Sequence, residues 1–115
     1  MNTLNISLSA LNSFNKVQNV IANNVANINT DGYSANRVRL EELPNNQGVK
    51  VEEVRKENTT QPERLNETRT NLPQNNVELA REFTEMIQNQ NAYNANAQVV
   101  RTENQMVGEL INKLV

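Results

Sequence analysis

The sequence predicts a mainly α fold: N- and C-terminal helices paired as an antiparallel, coiled-coil-like hairpin, with a small β-hairpin and an extended connector between them. Three observations carry this expectation. Apolar residues recur at heptad spacing in both terminal stretches. All three prolines (Pro44, Pro62, Pro73) and two of the three glycines fall in the middle, so chain breakers are kept out of the ends. Only 37% of the 115 residues are hydrophobic and 3% aromatic, with no Trp, two Phe and a mean hydropathy of −0.71. A thick core is hard to build from that material, so long amphipathic helices or a fold completed by a partner are favoured.

Residues 1–30 form the first zone, the N-terminal helix. Leu4, Leu11, Gln18 and Val25 make one row, and Ser7, Phe14, Ile21 and Ile28 the other, with six of these eight positions apolar. Alternating steps of three and four residues put both rows on one stripe. The expected stop is Thr30-Asp31-Gly32, because Gly accepts the left-handed conformation past a helix end. The polar face is unusual: it holds a single charge, Lys16, and the zone has nine Asn. Asn is a poor helix former but both donates and accepts hydrogen bonds. The helix is therefore expected to be covered by protein on more than one side; the plainer alternative is a compositional drift toward Asn, which is enriched elsewhere in the chain too.

Residues 31–75 form the second zone. Val38-Arg-Leu40 and Val49-Lys-Val51 alternate apolar and polar residues around Pro44-Asn-Asn-Gln-Gly48 and read as a short hairpin leaning on a helix. Residues 57–75 show no clear period and are expected to be an extended connector. The third zone, residues 76–115, is the C-terminal helix. Leu79, Met86, Tyr93, Val100, Val107 and Leu114 repeat every seven residues without a break, beside a mixed row of Phe83, Gln90, Ala97, Asn104 and Ile111. Asn75 or Asn76 is the expected N-cap, with Glu78 in the first turn. Such a helix would be about 60 Å long at roughly 1.5 Å per residue. It cannot bury its stripe alone and needs the N-terminal helix, other copies, or both.

Composition removes whole classes of function. His and Cys are absent, which excludes zinc fingers, Cys nucleophiles, Ser-His-Asp triads, axial haem His and thiol redox chemistry. A net charge of −2 and a pI near 5.2 argue against general nucleic-acid binding. No apolar run approaches the roughly 20 residues of a membrane span. The first residues lack the basic and apolar regions of a secretory signal, so export would use a route that removes no such peptide. Glu41-Glu42 and Glu52-Glu53 are paired acids, but among Arg and Lys they read as a solvated face rather than a catalytic dyad. Asn5, Asn58 and Asn66 head glycosylation-type triplets that so Asn-rich a chain contains by chance. Tyr93 lies on the heptad row and reads as core. No catalytic, cofactor-binding, metal or small-molecule site is expected, and the chain is not expected to be an enzyme.

Two stretches rise above this background. Ile21-Ala-Asn-Asn-Val-Ala-Asn-Ile-Asn-Thr30, followed by Asp31-Gly-Tyr33, closely resembles the N-terminal signature of the bacterial flagellar rod and hook proteins. Asn76-Val-Glu-Leu-Ala80, continuing through Ala92-Tyr-Asn-Ala-Asn96 to Leu110-Ile-Asn112, is similar to the same family's C-terminal segment. With about 42 residues between the motifs, the chain is most similar to the short proximal rod proteins, and Gly48-Val-Lys-Val51 resembles a stretch of their C type. Asn91 and the short connector depart from that pattern.

The resemblance implies a structural subunit of the basal-body rod, where the rod crosses the periplasm. It would polymerise through its paired terminal helices into a helical tube that transmits torque. Implied partners are copies of itself, other rod subunits and the flagellar export apparatus. It also implies type III export without a cleaved signal peptide, and terminal ends that order only on assembly. Each subunit would pack its Phe14/Ile21/Ile28 stripe against its own Tyr93/Val100/Val107 stripe. The implied assembly interface comprises Leu11, Phe14, Ile21, Asn23, Asn24, Val25, Asn27, Ile28, Met86, Tyr93, Asn96, Val100 and Val107. Thr30, Gly32 and Tyr33 would make the turn after the first helix. The competing reading is a soluble helical-hairpin adaptor or export chaperone of the same system.

Overall fold

A computed structural model describes residues 3–57 and 75–115. Helix α1 (Thr3–Ala26) is free of Pro and Gly and runs unbroken for 24 residues. It ends four residues before the expected stop. The Asn27 side chain donates to the Asn23 carbonyl at 2.8 Å, a local bond that competes with helix continuation. Tightened turns carry the backbone on, with the amides of Ile28 and Thr30 bonded three residues back. Gly32 then adopts a φ of 72°, the left-handed turn expected there.

Strands β1 (Asn36–Glu42) and β2 (Val49–Lys56) pair antiparallel as the expected hairpin. The register runs from Asn36 opposite Lys56 to Glu42 opposite Val49, with a bulge at Glu52 between the Arg39–Glu53 and Leu40–Val51 pairs. The loop closes with the Leu43 amide on the Gly48 carbonyl at 2.8 Å. Gly48, at a φ of 116°, lies where a Cβ would come within 2.0 Å of Ser9 Oγ, so the hairpin tip meets α1 at a position only Gly can fill.

Helix α2 (Leu79–Leu114) spans 36 residues, about 54 Å at 1.5 Å per residue. It begins three residues later than predicted, and neither Asn75 nor Asn76 is its N-cap. Glu78 occupies that position in an extended conformation (φ −105°, ψ 112°), without a side-chain cap bond. Both asparagines are committed to other backbone groups. Segment 58–74, most of the predicted connector and the site of Asn58 and Asn66, lies outside the described residues.

The molecule is a rod, 79 × 26 × 16 Å. α1 lies between the hairpin and α2 and is covered from two sides, but its Asn-rich surface is not what they cover: Asn5, Asn12, Asn15, Asn19 and Asn23 are exposed. Its hairpin side is held by hydroxyls: Ser13 Oγ donates to the Val49 carbonyl (3.0 Å) and the Val49 amide donates to Ser9 Oγ (3.1 Å). Among the described residues the buried apolar side chains are only Ala10, Ile21 and Ala35. Ser7, Ser13, Asn24, Glu82 and Asn89 are buried with them, so polar groups form much of the interior.

The seam on α2 departs from the predicted one. Met86, Tyr93 and Val100 are half-buried as a row, but Leu79, Val107 and Leu114 are exposed. The companion row is not Phe83–Gln90–Ala97 but its neighbour one residue earlier: Glu82 and Asn89 buried, Asn96 and Glu103 half-buried. The polar partners on α1 and β1 make this the lower-energy face for α2 to turn inward.

Candidate functional site

Among the described residues, hydrogen bonds and ion pairs converge where the end of α1, the open end of the hairpin and the start of α2 meet. Asn24 is at its centre, with no exposed surface. Its Nδ2 donates to the Asn36 carbonyl (2.9 Å) and to Glu82 Oε2 (3.1 Å). Its Oδ1 accepts from the Asn36 amide (2.8 Å) and the Tyr33 hydroxyl (3.2 Å). Two donors and two acceptor sites are an amide's full capacity, and here all four are used. The side chain thereby ties β1 to α1 and α1 to α2.

Glu82 is also wholly buried, and its second oxygen accepts from Arg37 Nη1. Arg37 extends the network through Nε to Glu57 Oε2 (3.0 Å) and lies 3.6 Å from Glu85. Arg81 closes it, reaching Glu57 Oε1 at 2.7 Å and Glu85 Oε1 at 3.1 Å. Two guanidinium groups thus hold three carboxylates. Burial opposes ionisation of Glu57, but the Arg81 hydrogen bond and the charges of Arg37 and Arg81 outweigh it and hold its carboxyl below the usual range. The same bond to Glu57 raises Arg81, against its own burial.

Asn75 and Asn76 complete the junction. Asn75 Nδ2 donates to the carbonyls of Asn27 (2.6 Å) and Thr30 (2.8 Å), capping the chain as it leaves α1. Asn76 Oδ1 accepts from the Ala35 amide (2.6 Å) and its Nδ2 donates to the Glu57 carbonyl (2.9 Å), closing the open end of the hairpin. Seven residues beyond Glu82, Asn89 Nδ2 donates to the Phe14 carbonyl (3.1 Å) and to Gln18 Oε1 (3.0 Å).

Of the residues expected at the assembly interface, Ile21 and Asn24 lie inside the single chain, at 2% and 0% exposure. The partners of the Asn24 side chain are all within this chain. Leu11, Phe14, Val25, Asn27, Ile28, Met86, Tyr93, Asn96 and Val100 are half-buried, and Asn23 and Val107 exposed. Phe14 and Tyr93 border one small cleft, but antiparallel pairing sets Thr3 beside Met106, so Val107 lies past the reach of the predicted α1 stripe. In the turn, Thr30 and Gly32 are exposed, while Tyr33 points its hydroxyl at Asn24.

The sequence reading missed Arg37, Glu57 and Glu82, which apolar periodicity cannot detect. The available signal was Glu82 itself, an acid seven residues before Asn89 on the face of Met86. The acid pairs it took for a solvated surface are that: Glu41, Glu52 and Glu53 pair with Lys50, Arg39 and Arg55 in the open. Every carboxylate of the junction is engaged by Arg, and the cleft of about 390 Å³ beside it presents Arg37, Arg81 and Glu85 among valines, with no nucleophile. The arrangement is suited to holding elements together rather than to turnover.

The flagella basal body rod protein family matches residues 4–33, which are α1 and its terminal turn. The flagellar basal body rod FlgEFG protein C-terminal family matches residues 71–114, which include all of α2. The hairpin falls between the two matches. No curated protein matches the chain.

Proposed function

Because the chain belongs to the flagellar basal-body rod and hook family, whose members are structural and not enzymes, we propose that it polymerises through its terminal helices into a tube that transmits torque. It is a structural protein of the basal body, and its family assembles with other rod subunits. Within that frame the short middle segment supports a proximal position, like that of the C-type subunit. Export through the type III apparatus, without removal of a leader, belongs to the same proposal.

One observation carries the polymerisation reading. From Asn104 onward every residue is exposed, including Met106, Val107, Leu110, Ile111 and Leu114 at 53–79%. Burying a large aliphatic side chain fully is worth about 1.5–3 kcal/mol, so each of these five still has about 1–2 kcal/mol to gain. Against this, each ordered residue loses about 1–2 kcal/mol of backbone entropy. Among the described residues, three buried apolar side chains offset little of that, which supports ordering coupled to association. A contact between unlike faces of successive copies does not close on itself and builds a filament.

Sedimentation of the purified chain at rising concentration, with circular dichroism on the same samples, tests this. Helical signal and particle size should rise together, and Leu110→Asp with Leu114→Asp should suppress both. A fixed-size, fully helical particle at all concentrations, indifferent to those substitutions, would instead match the adaptor reading. Immunogold labelling of isolated basal bodies checks position: label on the hook overturns the proximal assignment.

A further inference from the structure

The apolar seam does not specify how far α2 slides along α1. Leu79, Met86, Tyr93, Val100, Val107 and Leu114 form an unbroken heptad row, so displacing α2 by seven residues presents the same kind of surface again. Each such step would move α2 by roughly 10 Å, and with it the length of exposed helix beyond Thr3. Something other than apolar packing has to choose among these registers.

We propose that the polar junction is a register lock, with Glu82 as its key. The hairpin is fastened to α1 independently of α2, through Asn24 on Asn36 and through Ser9 and Ser13 on Val49. Arg37 is thus fixed relative to α1, and among registers within two heptads only one brings a carboxylate of the Glu82–Asn89–Asn96 row between Arg37 and Asn24. A slip one way carries Glu82 toward Gln18, where no cation waits. A slip the other way carries it past the end of α1 and sets Asn89, a neutral side chain, against Arg37. The first strands Glu82 without its cation and the second takes it from both Asn24 and Arg37, losses that weigh far more than a misplaced apolar residue. Asn75 and Asn76, bonded across to the α1 turn and the hairpin, reinforce the same register. The lock deepens the polymer reading and rests on it for its purpose: a defined overhang in every copy gives every inter-subunit contact the same spacing.

The chain has no Cys, so register can be read by disulfide trapping in the full-length protein. Asn15 and Gln90 border one cleft, so Asn15→Cys with Gln90→Cys reports the observed register. Asn15→Cys with Phe83→Cys or with Ala97→Cys reports a slip of one heptad either way. Chains are oxidised at the concentration of maximal helical signal, and intramolecular closure is read by mobility on a nonreducing gel. With the lock intact, the 15–90 pair should close at least about tenfold faster than either slipped pair. With Glu82→Leu, Asn75→Ala and Asn76→Ala, that preference should collapse. Adding Asn89→Glu to these changes rebuilds the key one heptad later, and the 15–97 pair should then close fastest, a result mere unfolding cannot produce. Equal closure of all pairs with the lock intact overturns the proposal, as does continued dominance of 15–90 once the acid is moved. Gel mobility separates closure within a chain from links between copies, and sedimentation of the same samples reads polymerisation separately, so failure of the lock and failure of the polymer reading are distinguishable.

Discussion

Replacing Arg37 with Met removes the cation from a carboxylate that water cannot reach. Glu82 has no exposed surface, and without Arg37 it retains one neutral donor, Asn24 Nδ2 at 3.1 Å. Arg37 also touches Glu57 and Glu85, but these are 31% and 34% exposed, so losing those contacts costs only about 0–1 kcal/mol each. The stranded Glu82 therefore dominates, at roughly 3–5 kcal/mol. A domain of this size has a total stability on the order of 5–15 kcal/mol, and one with so thin an apolar core sits at the low end. Arg37→Met should then remove more than half of it. Urea titration followed by circular dichroism, at the concentration of maximal helical signal, should show the midpoint lowered by at least about 1 M. Adding Glu82→Met replaces the pair with apolar bulk and should restore the midpoint to within about 1 kcal/mol of the parent. If Arg37→Met alone stays within about 1 kcal/mol, or the double variant is no better than the single, the buried pair is not what holds the junction.

Three further outcomes are expected. Glu57 titrates below its ordinary range in the folded chain, so its contribution is complete above the unfolded value of about 4.3 and is lost as pH falls through the lower folded value. Thermal melts from neutral pH down to about 3 should show this acid-side loss, and Glu57→Gln should flatten it. Asn76→Ala leaves the Ala35 amide, on a residue with no exposed surface, without its acceptor; a loss of about 1–3 kcal/mol should appear in denaturant titration. Gly48→Ala forces a Cβ onto Ser9 Oγ at positive φ and should destabilise by about 1–3 kcal/mol. Gly108→Ala meets nothing within 4 Å in mid-helix and should stabilise α2 by up to about 1 kcal/mol, so equal effects at the two glycines would refute this contrast.

Both helices, the hairpin and the left-handed Gly32 were readable from residue order, because each depends on neighbours within a few positions. The helix ends were less so. Asn75 and Asn76 have the composition of an N-cap, but their amides bond to Asn27, Thr30, Ala35 and Glu57, partners that sequence proximity does not suggest. The α2 face was misjudged by one residue for a related reason. Periodicity counts apolar side chains, whereas the row that turns inward is led by Glu82 and Asn89.

Residue order alone established a two-helix chain with a small hairpin, the absence of His and Cys chemistry, and terminal stretches resembling those of the flagellar rod and hook proteins. Those properties follow from local spacing and composition. Tertiary structure decided which side chains hold the elements together: Asn24 with all four bonds used, and Glu82 buried between it and Arg37. A charge can be buried only where its partners converge from distant parts of the chain, and no local pattern records that convergence.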